Sequence, residues 1–345
     1  MQKYPFFKDF TIPLKEAKKY VTLYPHKISL LLKILVTGAA GFIGSHTCER
    51  LHSLGHTVIG IDNFSPYYDV ALKELNAEIL RKQNITIHRI DLRTDDLRTL
   101  ITDEIDAIFH FAAQPGISAS SSFEDYYTNN FLATQRMLDV IETLSSKPYF
   151  VNIATSSIYG LEATLTEDQA PLPASWYGVT KQAAEQLVLA YSRRGLLEAS
   201  SLRLYSVYGP RERPDKLYTR LIDCGLNKKP FPLFEGSAKH LRSFTYVQDI
   251  VDGIVSVLDH QEACNGEVFN LGTEEENTTK TGIETVESIL GISVKIDHQP
   301  SRPGDQSRTK ANIDKARRIL NYNPQTSLKE GLEAQVTWFR ESFIS

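Results

Sequence analysis

Short apolar runs alternate with longer amphipathic stretches along the first half of the chain. Runs with the character of buried strands lie at residues 33–36, 57–61, 85–90, 105–111 and 149–154. Helical stretches are predicted at residues 45–54, 71–83, 126–143 and 177–193, and Thr94 is expected to cap a short helix that runs to Ile101. Regular alternation of strands and helices is typical of a parallel sheet with helices on both faces. The pattern therefore predicts an α/β fold with a doubly wound parallel sheet.

The second half of the chain, beyond Tyr205, is less regular. Glycine, proline and arginine become frequent, and helices are predicted at residues 248–258, 278–290, 313–320 and 328–343. We expect one domain at residues 33–205 and a smaller α/β domain at residues 206–345 that closes over the carboxyl ends of the strands. Part of residues 243–262 should pack back on the first domain. Residues 1–32 are expected to form an N-terminal extension.

Composition narrows the possible partners and compartments. The 345 residues are 41% hydrophobic and 23% charged, with a net charge of −4, so there is no basic excess to attract nucleic acid. No apolar run is long enough to span a bilayer, and the lysines and prolines of the first 32 residues do not fit a signal peptide. Three widely spaced cysteines without metal-ligand spacing indicate reduced thiols, no metal site and a cytoplasmic location.

The first predicted strand ends in three glycines, Gly38, Gly41 and Gly44, and a helix follows them. A strand that turns on glycine into a helix presents backbone N–H groups and the positive end of the helix dipole to an anion. The second strand ends at Asp62, near the distance at which a carboxylate meets the ribose of a dinucleotide. A carboxylate there repels a 2′-phosphate, so the expected cofactor of this Rossmann domain is NAD. A glycine-rich turn without a ligand is the alternative.

Tyr177 and Lys181 provide candidate acid/base chemistry. They are four residues apart on a predicted helix and therefore share one face. A lysine ammonium beside a phenol lowers the pKa of the phenol, so Tyr177 could remove a proton from a sugar hydroxyl. Thr155, at the end of the fifth strand, is placed to bond the same oxygen. Alternatively, the pair is an amphipathic helix residue and its solvated neighbour.

Several motifs in a fixed order carry a resemblance from Lys33 to the C-terminus. They are the glycine loop at residues 37–44, Asp62, Asp91-Leu92, Phe111-Ala112-Ala113, Thr155-Ser156-Ser157 and Tyr177-x-x-x-Lys181. Together they resemble the extended short-chain dehydrogenases/reductases of the nucleotide-sugar epimerase and dehydratase group. The resemblance implies that tightly held NAD⁺ takes hydride from the sugar C4 and returns it to the other face. It also implies that Tyr177 is the acid/base, that Lys181 tunes it and binds ribose, and that Thr155 is the third catalytic residue.

The resemblance also implies binding sets for the two ligands. The expected NAD-binding residues are Gly38, Gly41, Phe42, Ile43, Gly44, Asp62, Asn63, Asp91, Leu92, Phe111, Ala112, Ala113, Gln114, Asn129, Tyr177, Lys181 and Tyr205. The expected substrate-binding residues are Thr155, Ser156, Ser157, Ser206, Arg213, Arg242, Arg302 and Asp305. Arginines among them suit a diphosphate because their forked donors carry a permanent charge.

Ser156 and Ser157 favour simple epimerisation. Dehydratases of the group carry an Asp-Glu pair at these two positions, and the decarboxylases carry a glutamate at the second. The sequence is most similar to UDP-glucuronate 4-epimerases, but residues 118–120 are Ser-Ala-Ser where those enzymes have Arg-Tyr-Ser. UDP-glucose and UDP-N-acetylglucosamine therefore stay open as substrates, as do a 4-ketoreductase or dehydrogenase activity and a non-catalytic NAD-binding protein. The family implies a homodimer formed through the helices at residues 126–143 and 177–193.

Overall fold

The structure, a computed structural model, describes residues 31–117, 121–301 and 306–344. Seven parallel strands form its central sheet, in the order β12-β7-β5-β4-β1-β2-β3. The strands are β1 (Lys33–Thr37), β2 (Thr57–Asp62), β3 (Thr86–Arg89), β4 (Ala107–His110), β5 (Tyr149–Thr155), β7 (Ala199–Leu204) and β12 (Val268–Leu271). The predicted doubly wound parallel sheet is confirmed.

Helices cover both faces of this sheet because its strands are apolar on both sides. Ile34 and Val36 of β1 belong to one buried cluster, whereas Leu35 between them belongs to the cluster on the opposite face. The helices are α1 (Phe42–Ser53), α2 (Val70–Lys82), α3 (Phe123–Tyr126), α4 (Ala133–Thr143), α5 (Trp176–Arg193), α6 (Leu217–Leu226), α7 (Val247–Val255), α8 (Gln261–Cys264), α9 (Thr279–Leu290), α10 (Asp314–Leu320) and α11 (Leu328–Phe343).

Smaller elements complete the described part of the chain. A four-stranded sheet has the order β13-β10-β15-β6, and it is built from β6 (Glu162–Ala163), β10 (Leu241–Arg242), β13 (Asn277–Thr278) and β15 (Arg308–Thr309). Two strand pairs are built from β8 (Val207–Tyr208) with β11 (Thr245–Tyr246) and from β9 (Phe231–Phe234) with β14 (Ile296–Gln299). Short 3₁₀ helices lie at Leu97–Thr99, Ser156–Tyr159, Ser237–Lys239 and Ser256–Asp259. None of the helices in these described ranges is both long and apolar enough to cross a membrane.

The second half of the chain contributes to the central sheet and its helices, and it also forms elements of its own. Residues Leu32–Ser345 form one compact unit. Helix α7 packs on α1, and β12 forms the outer strand beside β7. The packing of residues 243–262 on a first domain stays a prediction, because it depends on the domain division. A separate apolar cluster joins α6, α9 and α11 around Tyr218 and Leu332. The division into residues 33–205 and 206–345 stays a prediction.

Two local predictions differ from the structure. The short helix is a 3₁₀ turn capped by Asp96, whose carboxylate accepts from Arg98 N–H, so the cap predicted at Thr94 is wrong. The helix predicted at residues 126–143 begins at Phe123 and contains a π-helical segment, Tyr127–Leu132, between α3 and α4. Such segments interrupt α-helices mostly at functional sites, and this one carries Asn129 toward the cleft described below.

Candidate active site

A cavity of about 570 Å³ lies at the carboxyl edge of the central sheet. Residues that end or directly follow β1, β2, β4, β5 and β7 line it, which is where ligands bind in open α/β sheets. All the predicted NAD-binding residues line this cavity except Tyr205, whose side chain is fully buried in the core. Of the predicted substrate ligands, Thr155, Ser156, Ser157, Ser206, Arg213 and Arg242 line it. Arg302 and Asp305 lie outside the described residues, as does the segment at residues 118–120.

The glycine loop has the geometry of an anion cradle. Gly38 has φ +70°, and a Cβ there would lie 2.9 Å from Ala112 N. A Cβ on Gly44 would collide with the Gly38 carbonyl, so the turn and the close approach both require glycine. Gly41 precedes α1 without a side-chain cap. The first-turn N–H groups of α1 therefore remain for a bound anion.

Asp62 lines the same cavity as the glycine loop. Its carboxylate accepts from Ala40 N–H at 3.1 Å and from Phe64 N–H at 2.8 Å, and it is buried. Lys73 of α2 lies 3.7 Å from the same carboxylate and also lines the cavity. The donor set, with a glycine cradle for a pyrophosphate and a carboxylate at the end of β2 for a ribose diol, fits NAD.

The predicted catalytic residues share one wall of the cavity. Tyr177 and Lys181 lie one turn apart at the start of α5, and Thr155 ends β5. The Thr155 hydroxyl and the Gly116 backbone lie close enough to the Tyr177 phenol to lower its pKa. The glycine loop and the tyrosine therefore face the same space.

Comparison with known proteins identifies the family. The sequence model of the NAD dependent epimerase/dehydratase family matches residues 34–272. The chain belongs to this family.

Two curated relatives and one solved structure named as UDP-sugar epimerases are similar to this chain. An uncharacterised UDP-glucose epimerase of Bacillus subtilis is 39% identical over 89% of this chain and 98% of its own length. UDP-glucuronate 4-epimerase 4 of Arabidopsis thaliana is 34% identical over 89% of this chain and 75% of its own length. The crystal structure of UDP-glucuronic acid 4-epimerase from Bacillus cereus, in complex with UDP-glucuronic acid and NAD, has a TM-score of 0.85. It is 38% identical and covers 90% of this chain and 100% of that one.

Several groups act on the pKa of Tyr177 in this family member. Burial raises the pKa of Tyr177, and the groups that lower it are the Thr155 hydroxyl, the Arg213 charge and the Gly116 backbone. The tuning of Tyr177 by Lys181 stays a prediction.

Lys181 is itself strongly perturbed. Burial lowers its pKa to about 8, and the negative charge of Glu185, one turn further along α5, acts in the opposite direction. Glu185 forms a buried ion pair with Arg203 of β7, at 2.6 Å. Lys181 is therefore mostly protonated at pH 7.

The sugar and diphosphate half of the cavity contains several charged side chains. Arg213 is buried, and its guanidinium forms a bidentate ion pair with the Asp215 carboxylate, with hydrogen bonds of 3.0 and 2.9 Å. A Cβ on Gly116 would lie 3.0 Å from the Arg213 guanidinium, so the glycine leaves room for it. Ser206 lies near Thr309, with 3.4 Å between the hydroxyl oxygens.

Sequence reasoning missed Lys73, Gly116 and Lys216 of this cavity. Lys73 lies outside every motif that we recognised, although it follows the Tyr-Tyr-Asp run at residues 67–69 by four positions. Lys216 directly follows the Arg-Pro-Asp run of residues 213–215, which was the available signal. Among the residues that the structure describes, no group of three or more His, Cys, Asp or Glu side chains could hold a metal ion.

Proposed function

We propose that this chain is a UDP-sugar 4-epimerase that keeps NAD⁺ bound, with UDP-glucuronate and UDP-galacturonate as its best substrates. The observation that carries the proposal is the placement of Tyr177 and Thr155 opposite the glycine cradle, in one cavity. When bound, NAD⁺ supplies a reversible hydride acceptor. Tyr177 removes the proton of the C4 hydroxyl and later returns it, while Thr155 holds the same oxygen.

Ser156 and Ser157 limit the reaction to this round trip. A dehydration across C5–C6 needs a further acid and base, and the residues after Thr155 offer two hydroxyls instead of carboxylates. Both serines line the cavity, where hydroxyls can donate to a sugar carboxylate. The 4-keto sugar is therefore expected to turn in the site and to be reduced on its other face.

Arg213 supports a hexuronate as the substrate. Its guanidinium lines the cavity, and its positive charge lowers the pKa of Tyr177, which supports a position near the sugar. A buried guanidinium next to a sugar binds a carboxylate more strongly than a neutral hydroxymethyl group. The curated relative named as a UDP-glucose epimerase favours UDP-glucose as the second candidate substrate.

The test is turnover by the purified protein without added NAD(H). UDP-glucuronate, UDP-glucose and UDP-N-acetylglucosamine are supplied separately, and the products are identified by NMR. We expect UDP-galacturonate to form from UDP-glucuronate, with little turnover of the other two. Stoichiometric consumption of added cofactor with a net oxidised or reduced sugar would instead establish a dehydrogenase or ketoreductase.

We infer that the enzyme is a homodimer in the cytoplasm. Phe123, Tyr127, Trp176 and Val179 form an exposed apolar patch on α3, the π-helical segment and α5, which are the helices expected at the interface. The rings of Phe123 and Trp176 lie edge to face at 6.2 Å, so the patch is continuous across the two helices. Cys48, Cys224 and Cys264 are free and buried, as suits a reducing compartment.

A further inference from the structure

Three successive side chains of the loop after β8, at residues 211–213, contact three different parts of the structure. Arg211 reaches the helix that follows the glycine loop, α1. Glu212 points between α6 and α11, where Thr219 and Gln335 donate to it. Arg213 lines the cavity. One short segment therefore contacts both the cofactor half and the substrate half of the site.

Arg211 is bonded to the inner end of α1. Its guanidinium donates to Glu49 at 2.8 Å and to the Ser45 hydroxyl at 3.2 Å. The Ser45 hydroxyl in turn donates to the carbonyl of Phe42 at 3.0 Å. Phe42 is the first residue of α1 and lines the cavity beside the glycine cradle. Two hydrogen bonds thus separate the guanidinium from the loop that is proposed to hold the pyrophosphate.

A second bond joins the same two elements. His46 of α1 lies 2.9 Å from the carbonyl of Pro210, through its Nε2 atom. Burial, followed by the Arg211 charge, lowers the pKa of His46 to about 4, so at neutral pH the ring is neutral and Nε2–H donates to this carbonyl. Arg211 has φ +68°, a conformation that a residue with a side chain rarely adopts. Contacts with α1 therefore hold the loop in a strained shape.

A second hydrogen bond, independent of Arg211, holds the Glu49 carboxylate. Its other carboxylate oxygen accepts from the Gln83 amide at 2.7 Å, at the end of α2. The Arg211 side chain is 10% exposed and that of Glu49 is 23% exposed, so water screens this pair less than it screens a surface ion pair. The pair fixes the loop two residues before Arg213.

We propose that Glu49 and Arg211 are positioning residues that couple cofactor retention on α1 to the affinity of the nucleotide-sugar half of the site. Cofactor bound at the glycine loop fixes the inner end of α1, which fixes Arg211 and hence the backbone that presents Arg213. By linkage, a bound nucleotide must favour cofactor retention by the same factor. The identity of the two ligands rests on the proposed function.

The test compares Glu49→Gln and Arg211→Gly with a matched control, Arg50→Gln. Glycine adopts the backbone conformation of residue 211 without strain, so this variant removes the Arg211 side chain and its hydrogen bonds without adding backbone strain. Arg50, also on α1, pairs with Asp252 at 2.9 Å and does not reach the loop, so its variant breaks a different ion pair of the same helix. UDP affinity is measured by calorimetry with NAD⁺ bound and with NAD⁺ removed, and the rate of NAD⁺ release is measured with and without UDP.

We expect NAD⁺ to strengthen UDP binding by about tenfold in the wild type and in Arg50→Gln, and by less than about threefold in the two test variants. In the two test variants, the KM for the sugar nucleotide should rise by about tenfold relative to the wild type, with little change in kcat. The double variant should be no worse than Arg211→Gly alone, because that variant already lacks the contact with Glu49.

Two results would overturn the proposal. One is an unchanged effect of NAD⁺ on UDP affinity in both test variants. The other is a loss of thermal stability with both ligand affinities unchanged, which would leave the pair a purely structural role. If the wild type interconverts no UDP-sugar but the test variants still lose the coupling between UDP and NAD⁺, the proposed function fails and the coupling stands.

Discussion

Tyr177 is held in surroundings that favour the protonated phenol. Burial raises its pKa, whereas the Thr155 hydroxyl and the Arg213 charge oppose this effect. Tyr177→Phe removes the group that exchanges the C4 proton and leaves the ring in place. We expect kcat to fall by about 10²–10⁴-fold with NAD⁺ still bound. NMR of the products and the absorbance of bound cofactor check both points, and unchanged turnover would exclude Tyr177 as the acid/base.

Arg213 is the residue on which sugar selectivity should depend. Arg213→Gln removes a buried guanidinium but keeps hydrogen-bonding capacity, so a charged sugar should lose more than a neutral one. We expect kcat/KM for UDP-glucuronate to fall by about 100-fold, and that for UDP-glucose by less than tenfold, as expected when a charge-assisted bond is lost. Equal losses for both sugars would place Arg213 on the shared diphosphate instead. Arg220→Gln, at another arginine that lines the cavity, is the control for general loss of positive charge.

At the scale of elements, a buried hydrogen-bond chain joins β1, β4 and α4. His110 lies 2.7 Å from the Thr37 hydroxyl through Nδ1 and 3.0 Å from the Thr134 hydroxyl through Nε2. Because Thr134 already donates to the Asn130 carbonyl, it must accept from Nε2–H. Thr37 then donates to Nδ1, and its oxygen accepts from Ala112 N–H at 3.2 Å. The chain orders the start of the segment that faces the glycine loop.

The hydrogen-bond chain predicts that His110 is neutral and carries its proton on Nε2. Burial, with a smaller effect of the Lys181 charge, lowers the pKa of His110 to about 3. We expect ¹⁵N NMR to show the Nε2–H tautomer unchanged between pH 5 and pH 8, with the signal assigned by its absence in His110→Gln. That variant should lose about 1–3 kcal/mol of stability because it leaves buried hydroxyls without a partner. A ring that titrates in this pH range, or carries its proton on Nδ1, would contradict the assignment.

Glu212 ties α6 to α11 and should make folding stability depend on pH. Burial raises its pKa from 4.5 to about 7. A carboxyl with a raised pKa contributes stability that is fully present below about pH 4.5, and this contribution is lost as the pH rises to about 7. At about 1.4 kcal/mol for each pKa unit, the whole contribution is about 3 kcal/mol.

Glu212→Gln should remove this pH dependence. We expect the free energy of unfolding of the wild type to fall, relative to that of the variant, by about 3 kcal/mol between pH 4.5 and pH 7.5. Urea unfolding at several pH values measures the difference. Glu333→Gln, on the exposed side of α11, should show no comparable change. Parallel curves for wild type and Glu212→Gln would mean that Glu212 is not perturbed.

Local spacing decided which elements and site residues could be predicted. Gly38, Gly44 and Asp62 follow from strand ends and the helix after them, and Tyr177 and Lys181 follow from the periodicity of one helix. The partners of these residues do not follow from spacing. Arg211 meets Glu49 across 162 positions of the chain, and neither residue belongs to a recognised ligand pattern. Likewise, β12 is a strand of four residues, one of them Asn270, and it joins the sheet through tertiary pairing with β7.

At the scale of the whole molecule, the exposed aromatic patch requires an explanation. Trp176 is 56% exposed and Phe123 is 47% exposed, and Tyr127 stacks on Phe131 at 5.9 Å beside them. Large apolar side chains grouped on one face are typical of interaction surfaces. A second copy of the chain is the proposed occupant because the patch lies on the helices through which the family is expected to dimerise.

A charge placed in this patch should separate the two copies. Trp176→Glu combined with Tyr127→Glu puts carboxylates into an apolar interface, where an unpaired charge is strongly unfavourable. We expect analytical ultracentrifugation to show twice the chain mass of 38.9 kDa for the wild type and a single chain for the variant. Ile292→Glu, at another exposed apolar residue remote from these helices in sequence, should remain dimeric. A wild type that sediments as one chain at every concentration would exclude the dimer, and the patch would then have to face a different protein.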